Sequence, residues 1–254
     1  MTAQRQRPPE VLLQVSDLHV AYGKAEVVHG LSMQVRAGEF VVVLGRNGAG
    51  KSTVMHAISG LVPKRSGTVT FAGQDLSAAS PRETVLAGIV QVLEGHRVFQ
   101  TLSVEDNLLI GTYARAPRGD RSKLDRVYAL FPELAERRQQ MASRLSGGQQ
   151  QILAVAQGVI GDPKLLILDE PSGGLAPIVI DRILDVASQL CASGLAILLV
   201  EQLVEKALRH AHYGYLVETG RIAAEDFSGA LGEGDLLQRV FLGGHAHHGE
   251  EATA

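Results

Sequence analysis

The sequence predicts an α/β fold with a mainly parallel sheet, interrupted by a helical insertion. Three observations predict it. Phe40–Leu44, Leu165–Leu168 and Ala196–Val200 are apolar at every position, as strands covered on both faces require. They alternate with stretches whose apolar residues recur at helical spacing. Between about Gln100 and Arg144 the pattern turns helical throughout, which splits the alternation into two halves. The 254 residues, 45% of them hydrophobic, suffice for one large domain with a substantial core.

Taken in order, Leu12–Val15 and Leu18–Val20 open the chain as β-rich runs, and Phe40–Leu44 follows as a buried strand. A helix begins at about Ser52 and closes at Gly60, with Pro63 just beyond as a stop. Thr68–Phe71 and Gly88–Val92 read as further strands. Ser103-x-x-Asp106 resembles a capping box, with Asp where Glu or Gln is usual. Leu124, Val127, Tyr128 and Phe131 form one helix face, whereas the charged, Gly/Pro-containing Arg115–Lys123 reads as a surface connection. Ile152, Val155, Ala156 and Val159 line the next helix, and Ile180, Ile183, Leu184, Ala187 and Leu190 the one after Leu165–Leu168. Tyr213–Val217 and Arg221–Ala223 read as a hairpin closed through Glu218-Thr219-Gly220. The Gly-, His- and Glu-rich end, 243–254, reads as a solvated tail, its His245, His247 and His248 included.

Bulk properties remove several classes of function. A net charge of −3 provides no global attraction to nucleic acid or to an anionic membrane. No segment approaches the ~20 apolar residues that span a bilayer. The polar start, with Arg5, Arg7 and Pro8-Pro9, lacks the apolar stretch of a secretory signal, so a cytoplasmic protein is expected. The single cysteine, Cys191, lies in an apolar helical stretch and reads as a packed thiol.

Three motifs carry chemistry. Gly45-Arg46-Asn47-Gly48-Ala49-Gly50-Lys51-Ser52-Thr53 satisfies G-x-x-x-x-G-K-[ST] between an apolar strand and a helix. Its glycines let backbone N–H groups curl around phosphates, and the helix presents its positive end to them. Lys51 is expected on the β- and γ-phosphates and the Ser52 hydroxyl on Mg²⁺. Leu165–Leu168 then ends in Asp169-Glu170, where Asp169 would hold Mg²⁺ through water and Glu170 would orient or deprotonate an attacking water. Between these motifs, Leu145-Ser146-Gly147-Gly148-Gln149 places a good N-cap and exposed backbone donors at a helix start, making a second phosphate-binding surface.

L-S-G-G-Q between two nucleotide motifs resembles the signature of the ABC ATPases, and the likeness runs from about Leu12 to Gly243. The resemblance implies a P-loop NTPase core, an N-terminal antiparallel β subdomain and an α-helical insertion. One domain would span 10–243, with the helical part at about 95–160 and tails at 1–9 and 244–254. It implies ATP as substrate with Mg²⁺, and head-to-tail pairing in which one chain's signature caps the γ-phosphate bound by the other. Tyr22 stands where an aromatic stacks on adenine. The usual Q-loop glutamine position falls on Glu94, a carboxylate able to ligate Mg²⁺, with Gln91 and Gln100 out of register. Gln202 replaces the usual switch histidine; it can donate to a γ-phosphate but cannot change charge.

Val92-x-Glu94-Gly95-x-Arg97-x-Phe99, Gly174-Leu175-Ala176-Pro177 and Val200-Glu201-Gln202 look like one subgroup, the shorter ATPase of branched-chain amino acid importers. Urea and amide importers have similar subunits. Leu93 for that subgroup's Pro, and Ala156-Gln157-Gly158 for its Ala-Arg-Ala, are departures that leave the cargo open. The resemblance implies a second ATPase, two transmembrane permeases and an external solute-binding protein as partners, with the chain held at the cytoplasmic face of the membrane. A soluble ABC ATPase acting on DNA or ribosomes would be expected to carry coiled coils or two fused ATPase domains. A kinase or GTPase would share only the phosphate loop.

Overall fold

The computed structural model describes residues 7, 10–95, 97–114 and 121–233. In chain order the elements are β1 (Val11–Tyr22), β2 (Ala25–Arg36), β3 (Phe40–Leu44), α1 (Lys51–Ile58), β4 (Ser66–Phe71), β5 (Gln74–Asp75), α2 (Pro81–Ala87) and β6 (Ile89–Val92). Next come α3 (Val104–Gly111), α4 (Leu124–Leu130), α5 (Pro132–Ala135), a short 3₁₀ turn (Ala142–Arg144) and α6 (Gly147–Val159). The chain continues through β7 (Leu165–Asp169), α7 (Pro177–Ala192), β8 (Ala196–Glu201), α8 (Val204–His210), β9 (Tyr213–Glu218), β10 (Arg221–Phe227) and α9 (Ser228–Glu233).

All residues of β3, β7 and β8 are buried, as their apolar runs require, and the carboxylates that end β7 and β8, Asp169 and Glu201, are buried with them. They lie inside a six-stranded sheet of order β10-β9-β3-β8-β7-β6, parallel except for the β9–β10 hairpin. Successive side chains point to opposite faces of a strand, so each of these strands feeds two cores. Phe40, Val42, Leu44, Leu166, Leu168, Ile197 and Leu199 pack with the helices α6 and α7. Val41, Val43, Leu165, Ile167, Leu198 and Val200 pack instead with α1 and the second sheet. Each fully buried Val or Leu contributes roughly 1.5–3 kcal/mol against exposure.

The second sheet is antiparallel, of order β2-β1-β4-β5, and forms the β subdomain at the N-terminal end. The two opening runs are one strand. Register shifts between Val15 and Leu18, with Asp17 at φ 50, insert the irregularity that turns Val15, Leu18 and Val20 all inward. β2 and α2 lie in stretches where the sequence reading assigned nothing. α2 carries a full capping box, Ser80 with Glu83, and Pro81 in its first turn. Ser103 caps α3 by accepting from the Asp106 N–H, while its hydroxyl donates to the Asp106 carboxylate. Leu124, Val127 and Phe131 are buried, with Tyr128 partly so, as the helix face predicts. Most of the 115–123 connection, the three tail histidines and both tails apart from Arg7 lie outside the described residues.

Arg7 docks on the loop between β2 and β3. Its guanidinium donates to both oxygens of Glu39, at 2.7 and 2.9 Å, and lies 3.8 Å over the Tyr213 ring. Glu39 is 0% exposed, so removing its cation strands a buried charge. Arg7→Ala is expected to lower the unfolding free energy by about 3 kcal/mol in urea titration; a loss below about 1 kcal/mol would contradict the role.

Candidate active site

The parallel strands β3, β7 and β8 end together, and their C-terminal ends carry the chemistry-bearing residues. β3 runs into the loop 45–50, which opens into α1. Gly45 has φ 154, and a Cβ built on it would sit 2.3 Å from the Val217 carbonyl oxygen, so no other residue fits there. The loop closes on itself through Ala49 N–H to the Arg46 carbonyl and is anchored by Gly220 N–H to the Ala49 carbonyl. Arg46, Asn47 and Gly48 are exposed, leaving their backbone open to a ligand at the helix start.

Lys51 is only 3% exposed, and its ammonium is held at three points. It donates to the carbonyls of Gly45 (2.9 Å) and Arg46 (3.1 Å) and lies 3.1 Å from Glu170 Oε1. The next residue, Ser52, donates its hydroxyl to Asp169 Oδ1 at 2.9 Å, joining the phosphate loop to the end of β7. Burial pushes the Asp169 carboxyl above its ordinary pKa, with the Ser52 hydrogen bond opposing. Ser52, Asp169 and Glu94 line one cleft of about 270 Å³ together with His56 and Arg97. Hydroxyl and carboxylate oxygens are the donor set of a hard divalent cation. Glu94 itself is exposed, and its backbone carbonyl accepts from Arg97 Nε.

Two neighbours of Asp169 escaped the sequence reading. Gln91, set aside as out of register, donates from Nε2 to Asp169 Oδ2 at 3.1 Å, and His56 Nε2 lies 3.6 Å from the same oxygen. The pairing of Gln91 with Ile167 across β6 and β7 brings it there. A lone polar residue inside the apolar run Ile89-Val90-Gln91-Val92 was the available signal. For His56, the signal was its place five residues after Lys51 on the same short helix.

Glu170 follows β7 with φ 45, a left-handed conformation that is strained for a residue with a side chain. Its carboxylate accepts from Gln202 Nε2 at 2.7 Å on one oxygen and faces Lys51 with the other. Tyr22 stands at the end of β1, 50% exposed, where its ring is free to stack. Thr53 is half-buried on α1.

Ser146 caps α6 through a reciprocal capping box. Gln149 N–H donates to the Ser146 hydroxyl, and Ser146 N–H donates to the Gln149 side chain. Ser146 and Gly147 are exposed, and Gly148 packs against Val179 of α7. Among the described residues, no hydrogen bond or ion pair joins 146–149 to the loop 45–53. The helix start at Ser146 and the loop 45–53 are thus separate surfaces of one chain.

The parallel sheet, the glycine-rich loop leading into α1 and the carboxylates ending β7 define a P-loop nucleoside triphosphatase. A family model described as ABC transporter matches residues 28–173. The chain is 39% identical over 233 residues to the high-affinity branched-chain amino acid transport ATP-binding protein BraG of Pseudomonas aeruginosa, covering 92% of this chain and all of that one. It is 32% identical to the probable branched-chain amino acid transport ATP-binding protein LivF of Archaeoglobus fulgidus, over 91% of this chain and 99% of that one. It is 30% identical to the lipopolysaccharide export system ATP-binding protein LptB of Escherichia coli, over 91% and 97%. The ADP conformation of MJ1267, an ATP-binding cassette of an ABC transporter, shares the fold with a TM-score of 0.81 at 23% identity, covering 92% of this chain and 99% of that one. The chain belongs to the ABC transporter family.

Proposed function

We propose that this chain is the ATP-hydrolysing subunit of an ABC importer for branched-chain or other hydrophobic amino acids. The observation that carries this reading is the near full-length likeness to BraG, combined with Lys51, Ser52, Asp169 and Glu170 meeting at one site. Two ATPase chains would pair head to tail, Ser146–Gln149 of each completing the other's nucleotide site. The pair would include a second, similar ATPase and sit under two membrane permeases, fed by an external solute-binding protein. Among the described residues, no helix is long and apolar enough to cross a membrane, which fits peripheral attachment at the cytoplasmic face through those permeases. Nucleic acid has no part in this reading.

The chemistry is attack of water on the γ-phosphate of ATP, promoted by positioning and charge neutralisation. Tyr22 stacks on adenine, and the backbone of 45–50 with the α1 N-terminus holds the phosphates. Lys51 places its charge on the β- and γ-phosphates. Glu170 accepts the proton of the attacking water, and Gln202 orients that carboxylate while donating toward the γ-phosphate. Ser52, Asp169 and Glu94 would hold Mg²⁺, which when bound neutralises phosphate charge.

Deleting the gene should abolish high-affinity uptake of labelled leucine, restored by the intact gene but not by Glu170→Gln. Loss of urea or amide uptake with leucine uptake intact would move the cargo to that importer class. Coupling to the permeases would run through the helical insertion and the segment 93–102, where Phe99 is exposed. Phe99→Glu is expected to leave hydrolysis by the isolated chain near normal and to cut uptake by about 30-fold or more, the loss of one binding hot spot. Undiminished uptake by that variant would contradict this coupling surface.

A further inference from the structure

One buried charge beside the site has no role in the chemistry above. Glu201, the last residue of β8, is 1% exposed, and it faces the turn that follows the Glu170 carboxylate. Its Oε1 accepts from Ser172 N–H at 3.1 Å, and its Oε2 accepts from the Ser172 hydroxyl at 2.8 Å and from Gln202 N–H at 3.0 Å. Leu203 N–H adds a longer contact of 3.4 Å. A carboxylate this deeply buried is costly, and burial does push its pKa up; the four donors offset that cost.

Three consecutive residues at the end of β8 therefore grip one turn. The Val200 carbonyl accepts from Glu170 N–H at 3.0 Å, Glu201 accepts from both donors of Ser172, and Gln202 donates to the Glu170 carboxylate. The gripped turn is the strained one: Glu170 has φ 45 and precedes Pro171, which narrows its backbone choices further. Such a conformation persists only where its surroundings over-determine it. From this arrangement we infer that Glu201 is a positioning residue for ATP hydrolysis, fixing the Glu170–Ser172 turn against Gln202 so that the Glu170 carboxylate keeps its aim. The inference rests on the role proposed for Glu170.

The test is Glu201→Gln, which keeps the volume but turns one acceptor into a donor facing N–H groups. ATP affinity should stay near normal while kcat falls by about tenfold or more, because misplacing a reacting group by around 1 Å costs on that order or beyond. Combined with Gln202→Ala, it should lower kcat no further than Gln202→Ala alone, since both act on one carboxylate. Full kcat in Glu201→Gln, or losses that multiply in the double variant, would overturn the inference. Should Glu201→Gln fail to fold, Ser172→Ala decides: a fall in kcat at unchanged affinity supports the role, and an unchanged kcat refutes it. Full hydrolysis by Glu170→Gln would overturn the reading of Glu170 and this inference together. An inactive Glu170→Gln beside a fully active Glu201→Gln overturns the inference alone.

Discussion

Glu170→Gln is expected to bind ATP normally and to hydrolyse it slower by on the order of 10²–10⁴, the usual contribution of a general base. The substitution is nearly isosteric, and the amide oxygen can still accept from Gln202 Nε2, which lies 2.7 Å from the carboxylate in the native chain. What disappears is the proton acceptor and the anionic partner of Lys51, whose ammonium lies 3.1 Å from Glu170 Oε1. Freed from that partner, Lys51 retains its two carbonyl contacts and its charge for the phosphates. Binding should therefore survive while the chemical step stops. A closed pair with trapped ATP should accumulate, visible as an ATP-dependent shift to a dimer in size-exclusion chromatography. Undiminished turnover would remove Glu170 from its proposed role.

The second large effect is at Lys51. Lys51→Ala should weaken ATP binding by on the order of 10²–10⁴, since two charge-assisted hydrogen bonds to phosphate are each worth roughly 1.5–3 kcal/mol. The same change leaves the Glu170 carboxylate without its nearest cation and facing an anionic nucleotide. Lys51→Arg should not rescue, because the 3% exposed pocket is built for a compact ammonium and a planar fork would collide with the Gly45 and Arg46 carbonyls. Isothermal titration with ATP checks this directly, with circular dichroism to confirm folding. Affinity within about threefold of the native chain would contradict the phosphate role.

The parts of the molecule that could be read ahead were those where one residue type has one physical use. Strands covered on both faces must be apolar throughout, so β3, β7 and β8 were evident, and β6 nearly so. The phosphate loop was legible because Gly45, Gly50 and Lys51 satisfy a spacing that backbone geometry imposes. Where two local signals conflict, reading failed. β1 looked like two runs because its bulge at Ser16–Asp17 breaks the alternation, and β2 was missed because His29-Gly30 interrupts an otherwise alternating Val28, Leu31, Met33 and Val35. Contacts made by strand pairing were invisible for a different reason. Gln91 reaches Asp169 only through the β6–β7 register, and Glu201 looks like an exposed strand end until the turn at Ser172 covers it. Arg7, assigned to a tail, is drawn in by the buried Glu39, a partner far along the sequence.

The central claim, that this ATPase powers import through partner membrane subunits, is tested most directly by purifying the tagged chain from detergent-solubilised membranes and identifying its partners by mass. The account predicts two polytopic membrane proteins and a second ATPase in the same complex. Recovery of soluble partners, ribosomes or nucleic acid alone would leave the nucleotide chemistry standing and contradict the transport role.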